Sequence, residues 1–471
     1  MNSQKLQEKI RLHFPFQPTS EQNQIITNIS DFVAITENSN VFILKGYAGT
    51  GKTTLVSILV KSLPILGKRS VLMAPTGRAA KVLSKYSKKA ASTIHKKIYW
   101  IRTNKSGNTF ITLKKNTHSN TIFIVDEASM ISENSDRGFG NRSLLEDLIE
   151  YVYDGNNCKL ILIGDTAQLP PVHLDMSPAL DEGKLTKHYK KQVTCNELTQ
   201  VVRQKKDSLI LKNATDLRTK IANKDYSSPK LATNSEIVRL NTGEELQEAL
   251  EASYSNEGVN STTVLCRSNK RANLYNQQIR TKIRWQENEI SSGDILMVVR
   301  NNYFWLDDSS KAGFIANGDI VEVVKIKERI ERYGFQFAKA NVQMVDYPEE
   351  KELEVILLLD TLISESSTIT YEQYQQLYQE VAKDYKGAKE LNKKIKEDKF
   401  FNALQIKFAY AITCHKSQGG QWKNVFVDLG YFTENMLDKS YLRWLYTALT
   451  RATKKLYLIN FKENFFNTIK Q

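Results

Sequence analysis

The sequence predicts an α/β protein built on parallel sheets, interrupted by an inserted β-hairpin and by a small antiparallel barrel. Three observations carry this reading. Short runs apolar on both faces, NVFILKG, RSVLMAPT, TIFIVDE and KLILIGD, end in small or acidic residues, the pattern of buried parallel strands. Segments with helical spacing, such as TTLVSILVKSL and GRAAKVLSKY, separate most of them and provide the crossovers a parallel sheet needs. Similar runs return late in the chain, in TTVLCRS, FAYAIT, NVFVDLG and KLYLIN, and mark a second α/β region that begins near Asp207.

The residues with chemistry to offer stand mostly at the C-terminal ends of these strands, where open α/β sheets bind ligands. FQPTSEQNQII precedes the first strand. Gln22 there has an amide able to donate to and accept from an adenine edge, and the segment reads equally as a helix start capped by Thr19 or Ser20. GYAGTGKT then leaves the first strand and opens a helix, matching the G-x-x-x-x-G-K-[ST] phosphate loop. Gly46, Gly49 and Gly51 let backbone N–H groups curl round phosphate oxygens where a Cβ would clash. Lys52 would reach the β- and γ-phosphates of ATP, the Thr53 hydroxyl would bind Mg²⁺, and Thr50 and Thr54 complete the ATP contacts.

MAPTGRAAKVL and ASTIHKKIYW supply Thr76, Arg78, Lys81, Thr93, His95 and Lys96. In residues 97–119, IYWIR and TFITL flank the turn signal NKSGN, the signature of a hairpin inserted between strands of the main sheet. In IFIVDEAS, Asp126 ends an apolar strand as a Mg²⁺-coordinating carboxylate should, and Glu127 is placed to orient or deprotonate an attacking water. In LILIGDTAQLPPV, Asp165 and Gln168 follow another apolar strand, and Gln168 is the candidate to contact the γ-phosphate or the water and report the bound nucleotide. Arg203 in LTQVVRQ and Arg451 in YTALTRA are candidates to converge on a γ-phosphate and stabilise transition-state charge.

Between the late strands, GDILMVVR, GDIVEVVKI and FAKANVQMV read as short antiparallel strands of a small barrel. The lysine-rich TYEQYQQLYQEVAKDYKGAKELNKKIKEDK that follows reads as a solvated helical arm. In FAYAITCHKSQGGQW, Thr413, His415, Lys416, Ser417 and Gln418 form a polar cluster suited to sugar–phosphate contacts. His415 has no Cys or His partner at metal spacing. T-I-H-K and T-C-H-K, around His95 and His415, parallel each other, as if both α/β halves grip one strand.

Composition narrows the class. With 66 Lys+Arg against 52 Asp+Glu the chain carries +14 charges, which favours a polyanionic partner. The four cysteines show no CxxC spacing, which argues against a zinc ribbon or redox pair and suits a reducing compartment. No apolar signal core opens the chain, and its longest aliphatic run, VILLL, is too short for a bilayer, so a cytoplasmic protein with no membrane contact is expected. A phosphate loop alone does not name a function. A nucleic-acid-stimulated NTPase acting as clamp or switch, an RNA-tracking enzyme and a small-molecule kinase remain open on the residues alone.

GYAGTGKT, APTGRAAK, VDEAS, GDTAQLPPV, VVRQ, NGDIVEV, TCHKSQG and YTALTRA resemble, in order, the motifs of superfamily 1 helicases, closest to the RecD-like and Dda-like 5′→3′ branch (superfamily 1B), with Pif-type enzymes as cousins. The likeness spans nearly the whole chain, and is thinnest at 97–119, 205–260 and 330–400. It implies a RecA-like domain 1A at 1–90 and 120–204, a 1B hairpin at 91–119, a second RecA-like domain 2A at 205–287 and 405–471, and an SH3-like 2B at 288–404. ATP and Mg²⁺ would bind between 1A and 2A. The partners implied are single-stranded DNA and single-strand/duplex junctions, engaged by a monomer translocating 5′→3′. Thr76, Arg78, Thr93, His95, Thr413, His415, Lys416 and Ser417 would hold the strand, and Trp100 and Phe110 of the hairpin would meet the last base pair, unless they merely cover a sheet edge. SQGG departs from the glycine pattern expected at that motif.

Overall fold

The computed structural model describes residues 2–35, 39–103, 109–133, 142–202, 208–306, 310, 312–366, 368–388 and 390–466, with backbone alone for 101–103 and 109–111. The apolar runs form the expected strands. Val41, Phe42, Ile43 and Leu44 are fully buried, as are Ile122 to Val125 and Leu160 to Leu162, because each strand is covered by helices on both faces. They lie in a six-stranded sheet ordered Ala91–Thr93, Arg69–Ala74, Thr121–Val125, Lys159–Gly164, Asn40–Gly46, Gln192–Leu198. Every neighbouring pair is parallel. The phosphate-loop strand Asn40–Gly46 is therefore internal, with Leu44 opposite Ile163 on one side and Asn196 on the other.

A second, five-stranded parallel sheet runs Ala411–Thr413, Thr262–Cys266, Trp422–Asp428, Ala452–Ile459, Ile237–Leu240. Two parallel sheets with a closed barrel establish two RecA-like domains and an SH3-like barrel. The barrel comprises Ile295–Val298, Ile320–Arg332, Phe335–Met344, Leu353–Leu358 and Leu404–Phe408. Its first strand pairs antiparallel with its last, Leu296 opposite Phe408, which closes the ring. Leu296, Val321, Val323, Ala338, Ala340, Val342, Val355 and Ile406 fill the inside without exposure. The long hairpin turns at Tyr333 and Gly334, both at positive φ, the backbone a two-residue turn of this kind requires.

Several expectations are corrected. Ala91–Thr93, expected within the hairpin domain, pairs in parallel with Leu72–Ala74 as an edge strand of the first sheet; the hairpin itself is Tyr99–Thr103 with Thr109–Leu113. Residues 405–408, assigned to the second sheet, complete the barrel instead, because Leu404–Phe408 is the strand that closes it. The lysine-rich arm is not a free solvated helix. Its helices Tyr371–Asp384 and Leu391–Lys396 bury Leu377, Val381 and Ile395 against Phe335, Phe337, Ile356 and Leu358 on the barrel's outer face. The i, i+4 spacing of Leu377 and Val381 supplied that stripe. Among the described residues no helix is long and apolar enough to cross a membrane.

Candidate active site at the cleft between the two sheets

The loop after Asn40–Gly46 is shaped by its glycines. Gly49 and Gly51 sit at φ +77° and +91°, and a Cβ at Gly51 would stand 2.6 Å from Gln22 Nε2. The Thr50 hydroxyl donates to Tyr47 O at 2.8 Å and pins the loop from within. Lys52 opens the helix Lys52–Ser62; its ammonium donates to Gly46 O and, at 2.8 Å, to Tyr47 O. Thr53 is exposed and Thr54 half-buried at the same helix start. Gln22 departs from the adenine role. Its carbonyl accepts from Thr19 N in a capping box, its amide donates to Thr50 O at 3.2 Å, and it is 1% exposed. The capping alternative holds, and Gln22 braces the phosphate loop from behind.

Asp126 and Glu127 leave strand Thr121–Val125 beside this loop. Tyr86 donates its hydroxyl to Asp126 Oδ2, and Asp126 Oδ1 accepts from Glu127 N at 2.8 Å. Glu127 is held at φ +53°, a left-handed conformation unusual for a non-glycine residue and the kind of strain that gathers at working sites. Burial, reinforced by the Asp126 carboxylate, pushes its pKa up to about 7, against the pull of Arg451 and Lys52. Two cations far apart in sequence, one from each sheet domain, thus act on one carboxyl group.

The opposite wall is the helix Lys439–Leu449, which lies along the 1A loop after Lys159–Gly164. Arg443 donates to Asp175 O at 2.6 Å and Thr166 O at 3.1 Å; Tyr446 donates to Asp165 Oδ2 at 2.7 Å; Thr447 Oγ1 accepts from Leu169 N at 2.9 Å. Gln418 adds a bond from its Nε2 to Leu169 O at 2.6 Å. Gln168 lies inside this seam, 7% exposed, and its Oε1 has no hydrogen-bond partner among the described residues. Arg451, just past the helix, is 4% exposed and is oriented by Thr447 O at 3.1 Å and Gly420 O at 3.3 Å. Arg203 lies outside the described residues.

The residues predicted to hold a strand divide. Thr76, Thr93 and His95 line a groove of about 1240 Å³ between the first sheet domain, the barrel and the arm, with Arg300, Tyr303 and Phe314 among its other walls. Thr76 and Thr93 also cap helices, accepting from Ala79 N and Lys96 N. Thr93 and Thr413 occupy equivalent places: each ends an edge strand, opposite Ala74 in one sheet and Cys266 in the other, so the two T-x-H-K segments are structurally matched. Thr413 and Lys416 are half-buried and His415 is exposed. Ser417 is corrected: it is fully buried and donates to Cys414 O at 2.7 Å, which turns it away from any strand. Arg78 is half-buried, and its guanidinium stacks on the Trp422 ring at 3.9 Å across the domain boundary. Trp100 is 52% exposed, with Lys114 Nζ 4.4 Å from its ring centroid. The side chain of Phe110 lies outside the described residues.

The unusual SQGG has a steric explanation. Gly419 sits at φ +72°, and a Cβ there would stand 2.7 Å from Ala79 Cβ; one at Gly420 would meet Trp422 at 2.7 Å and Arg78 Nε at 2.9 Å. The paired glycines let one domain abut the helix Gly77–Ser87 of the other. Gly419→Ala adds about 1–2 kcal/mol of left-handed backbone strain to that clash. We expect it to reduce ATP hydrolysis about tenfold or more, with the circular dichroism spectrum unchanged. Full activity would show that this closed contact is not needed.

The fold and this cleft define a phosphate-loop ATPase whose site is shared by two RecA-like domains of one chain. An AAA domain family model matches residues 19–233, and a UvrD-like helicase C-terminal domain model matches 408–459. The chain is 28% identical to the ATP-dependent DNA helicase Dda of Enterobacteria phage T4 over 65% of this chain and 66% of that protein. It is 24% identical to the RecBCD enzyme subunit RecD of Buchnera aphidicola (93% of this chain, 72% of that one). An uncharacterized protein of Methanocaldococcus jannaschii is 25% identical over 91% of this chain, which spans 37% of that relative's length. A crystal structure of a Bacteroides Pif1 helicase in complex with ADP-AlF3 and ssDNA aligns at a TM-score of 0.47 with 16% identity, covering 96% of this chain and 95% of that one. The chain is thus similar to the superfamily 1B DNA helicases, the ATP-dependent group that includes Dda-like and RecD-like members.

Proposed function

We propose that the protein moves 5′→3′ along single-stranded DNA and separates duplex ahead of it, working as a monomer. The observation that supports this most is the seam: the helix Lys439–Leu449 of one domain bonds the loop holding Asp165, Gln168 and Leu169 of the other, while Arg451 and Lys52 both act on Glu127. Hydrolysis and relative domain movement then share one set of contacts. A single chain supplies both walls, which is why a monomer suffices.

The residues fit Mg²⁺·ATP. The loop is a cradle in which a Cβ at Gly46 would meet Lys52 Cγ at 2.9 Å, and Gln168 Oε1 is a buried acceptor left over in the seam. Lys52 and the loop N–H groups would bind the phosphates, and Thr53 and Asp126 would hold the ion. The bound ion neutralises charge on the phosphate oxygens. Glu127 orients the attacking water and takes its proton. Arg451 supplies positive charge from the far wall, and Arg203 is assigned to the same task. On the track side, Thr76, Thr93 and His95 in one domain and Thr413, His415 and Lys416 in the other contact the backbone, with Trp100 meeting the duplex end. Such contacts tolerate any sequence.

The test is unwinding of duplexes carrying a 5′ or a 3′ single-stranded tail. Strand separation from the 5′-tailed substrate alone is expected. Preference for the 3′ tail overturns the polarity, and ATP hydrolysis stimulated by single strands without separation of either substrate leaves a clamp or switch.

A further inference from the structure

Tyr446 is almost fully buried, and its hydroxyl makes two bonds, both to the opposite domain. It accepts from Ala48 N, inside the phosphate loop, at 2.9 Å and donates to Asp165 Oδ2 at 2.7 Å. Burial and the adjacent carboxylate raise the phenol's pKa, so the hydroxyl stays protonated and remains a donor. Phenylalanine would fill the same space; the oxygen therefore matters for what it joins. On one side that is a loop whose N–H groups are its phosphate donors. On the other it is Asp165, whose second oxygen accepts from Ala167 N at 2.9 Å and so shapes the turn leading to Gln168.

The backbone continues the connection. Thr450 Oγ1 donates to Tyr446 O at 2.9 Å and accepts from Arg451 Nη2 at 3.3 Å. A displacement of Tyr446 is thereby passed to the guanidinium that acts on Glu127. Any phosphate entering the loop competes for the Ala48 N–H, because one N–H satisfies one strong acceptor at a time.

We propose that Tyr446 is a positioning residue that couples phosphate binding at the loop to the placement of Arg451, through the bridge its hydroxyl makes between Ala48 and Asp165. This rests on the reading of Gly46–Thr53 as the ATP loop.

The experiment compares wild type and Tyr446→Phe, as full chains, for ATP hydrolysis with and without an oligo-dT strand. The hydroxyl is expected to be worth about tenfold in the stimulated kcat, with KM for ATP changed less than about twofold and the melting temperature nearly unchanged. Asp165→Asn, which weakens the same bridge from its other end, is expected to reproduce the kcat loss, and the double variant to lose little more. The Asp165→Asn result decides the matter if Tyr446→Phe does not fold. An unaltered kcat in the single variants overturns the proposal. So does a kcat loss that tracks a fall in melting temperature, since a purely structural tyrosine would behave that way. A wild-type protein whose hydrolysis ignores oligo-dT refutes the motor reading alone, and the bridge is then judged on the unstimulated kcat of the same variants.

Discussion

Lys52→Ala is expected to lower single-strand-stimulated ATP hydrolysis by at least about a hundredfold, the scale of losing one charged group aimed at transition-state charge in a partly desolvated site. The structure allows the chemical loss to be told apart from a folding loss. The Lys52 ammonium donates to Gly46 O and Tyr47 O, so its removal also strips a donor from two loop carbonyls. That costs on the order of 1 kcal/mol. Thr50 still pins the loop from within, and Gln22 still braces it from behind. The groove lined by Thr76, Thr93 and His95 does not include Lys52. Single-strand binding, measured by fluorescence anisotropy, should therefore stay within about threefold of wild type. Loss of hydrolysis and strand binding together would mean that the loop holds the fold rather than the nucleotide. Unchanged hydrolysis would remove the nucleotide assignment.

What the sequence made legible follows physical rules of different reach. The internal strands were readable because a strand buried on both faces must be apolar throughout, as in TIFIV and LILIG. The edge strands Gln192–Leu198 and Ile237–Leu240 were not, since a strand with one open side keeps polar residues: QVTCNEL and IVRL carry no such run. The phosphate loop was legible because glycine at φ +91° has few substitutes. The seam was not. Nothing in local pattern says that Arg78 will find Trp422, because that contact depends on the approach of a segment hundreds of residues away, and the inward turn of Ser417 to Cys414 O, three residues before it, carries no sequence signature either. Gln22 lies between these cases: a helix start capped by Thr19 or Ser20 was visible, and the bonds of Gln22 to Thr19 N and Thr50 O were not. Tyr446 and Thr447 stand within the YTALTRA motif, so the signal was on the page, but only the three-dimensional contact with Ala48 and Leu169 separates them from ordinary helix residues.

Arg451→Ala is expected to reduce kcat by about a thousandfold, the lower end of what an arginine directed at a transferring phosphoryl group contributes. The position argues for a catalytic more than a binding loss. Arg451 comes from the wall opposite the phosphate loop and is held by Thr447 O, Gly420 O and Thr450 Oγ1 of its own domain, so ATP held by the loop need not depend on it. ATP affinity, read by equilibrium titration, should change less than about fivefold. Removing Arg451 also takes away a positive charge that opposes the burial of Glu127 as an anion, so the carboxyl should shift further toward its neutral form. That weakens the base in the same step as it weakens the charge stabilisation. Arg451→Lys separates the two effects. An ammonium restores the charge near Glu127 but not the planar fork that reaches Gly420 O and Thr447 O together, so it should recover only part of the loss. Full recovery by lysine would make Arg451 a source of field alone. Equal losses of ATP binding and hydrolysis in the alanine variant would make it a ligand-holding residue and remove it from the chemistry. Hydrolysis at the wild-type rate would sever the seam from the reaction, and with it the link between fuel and movement.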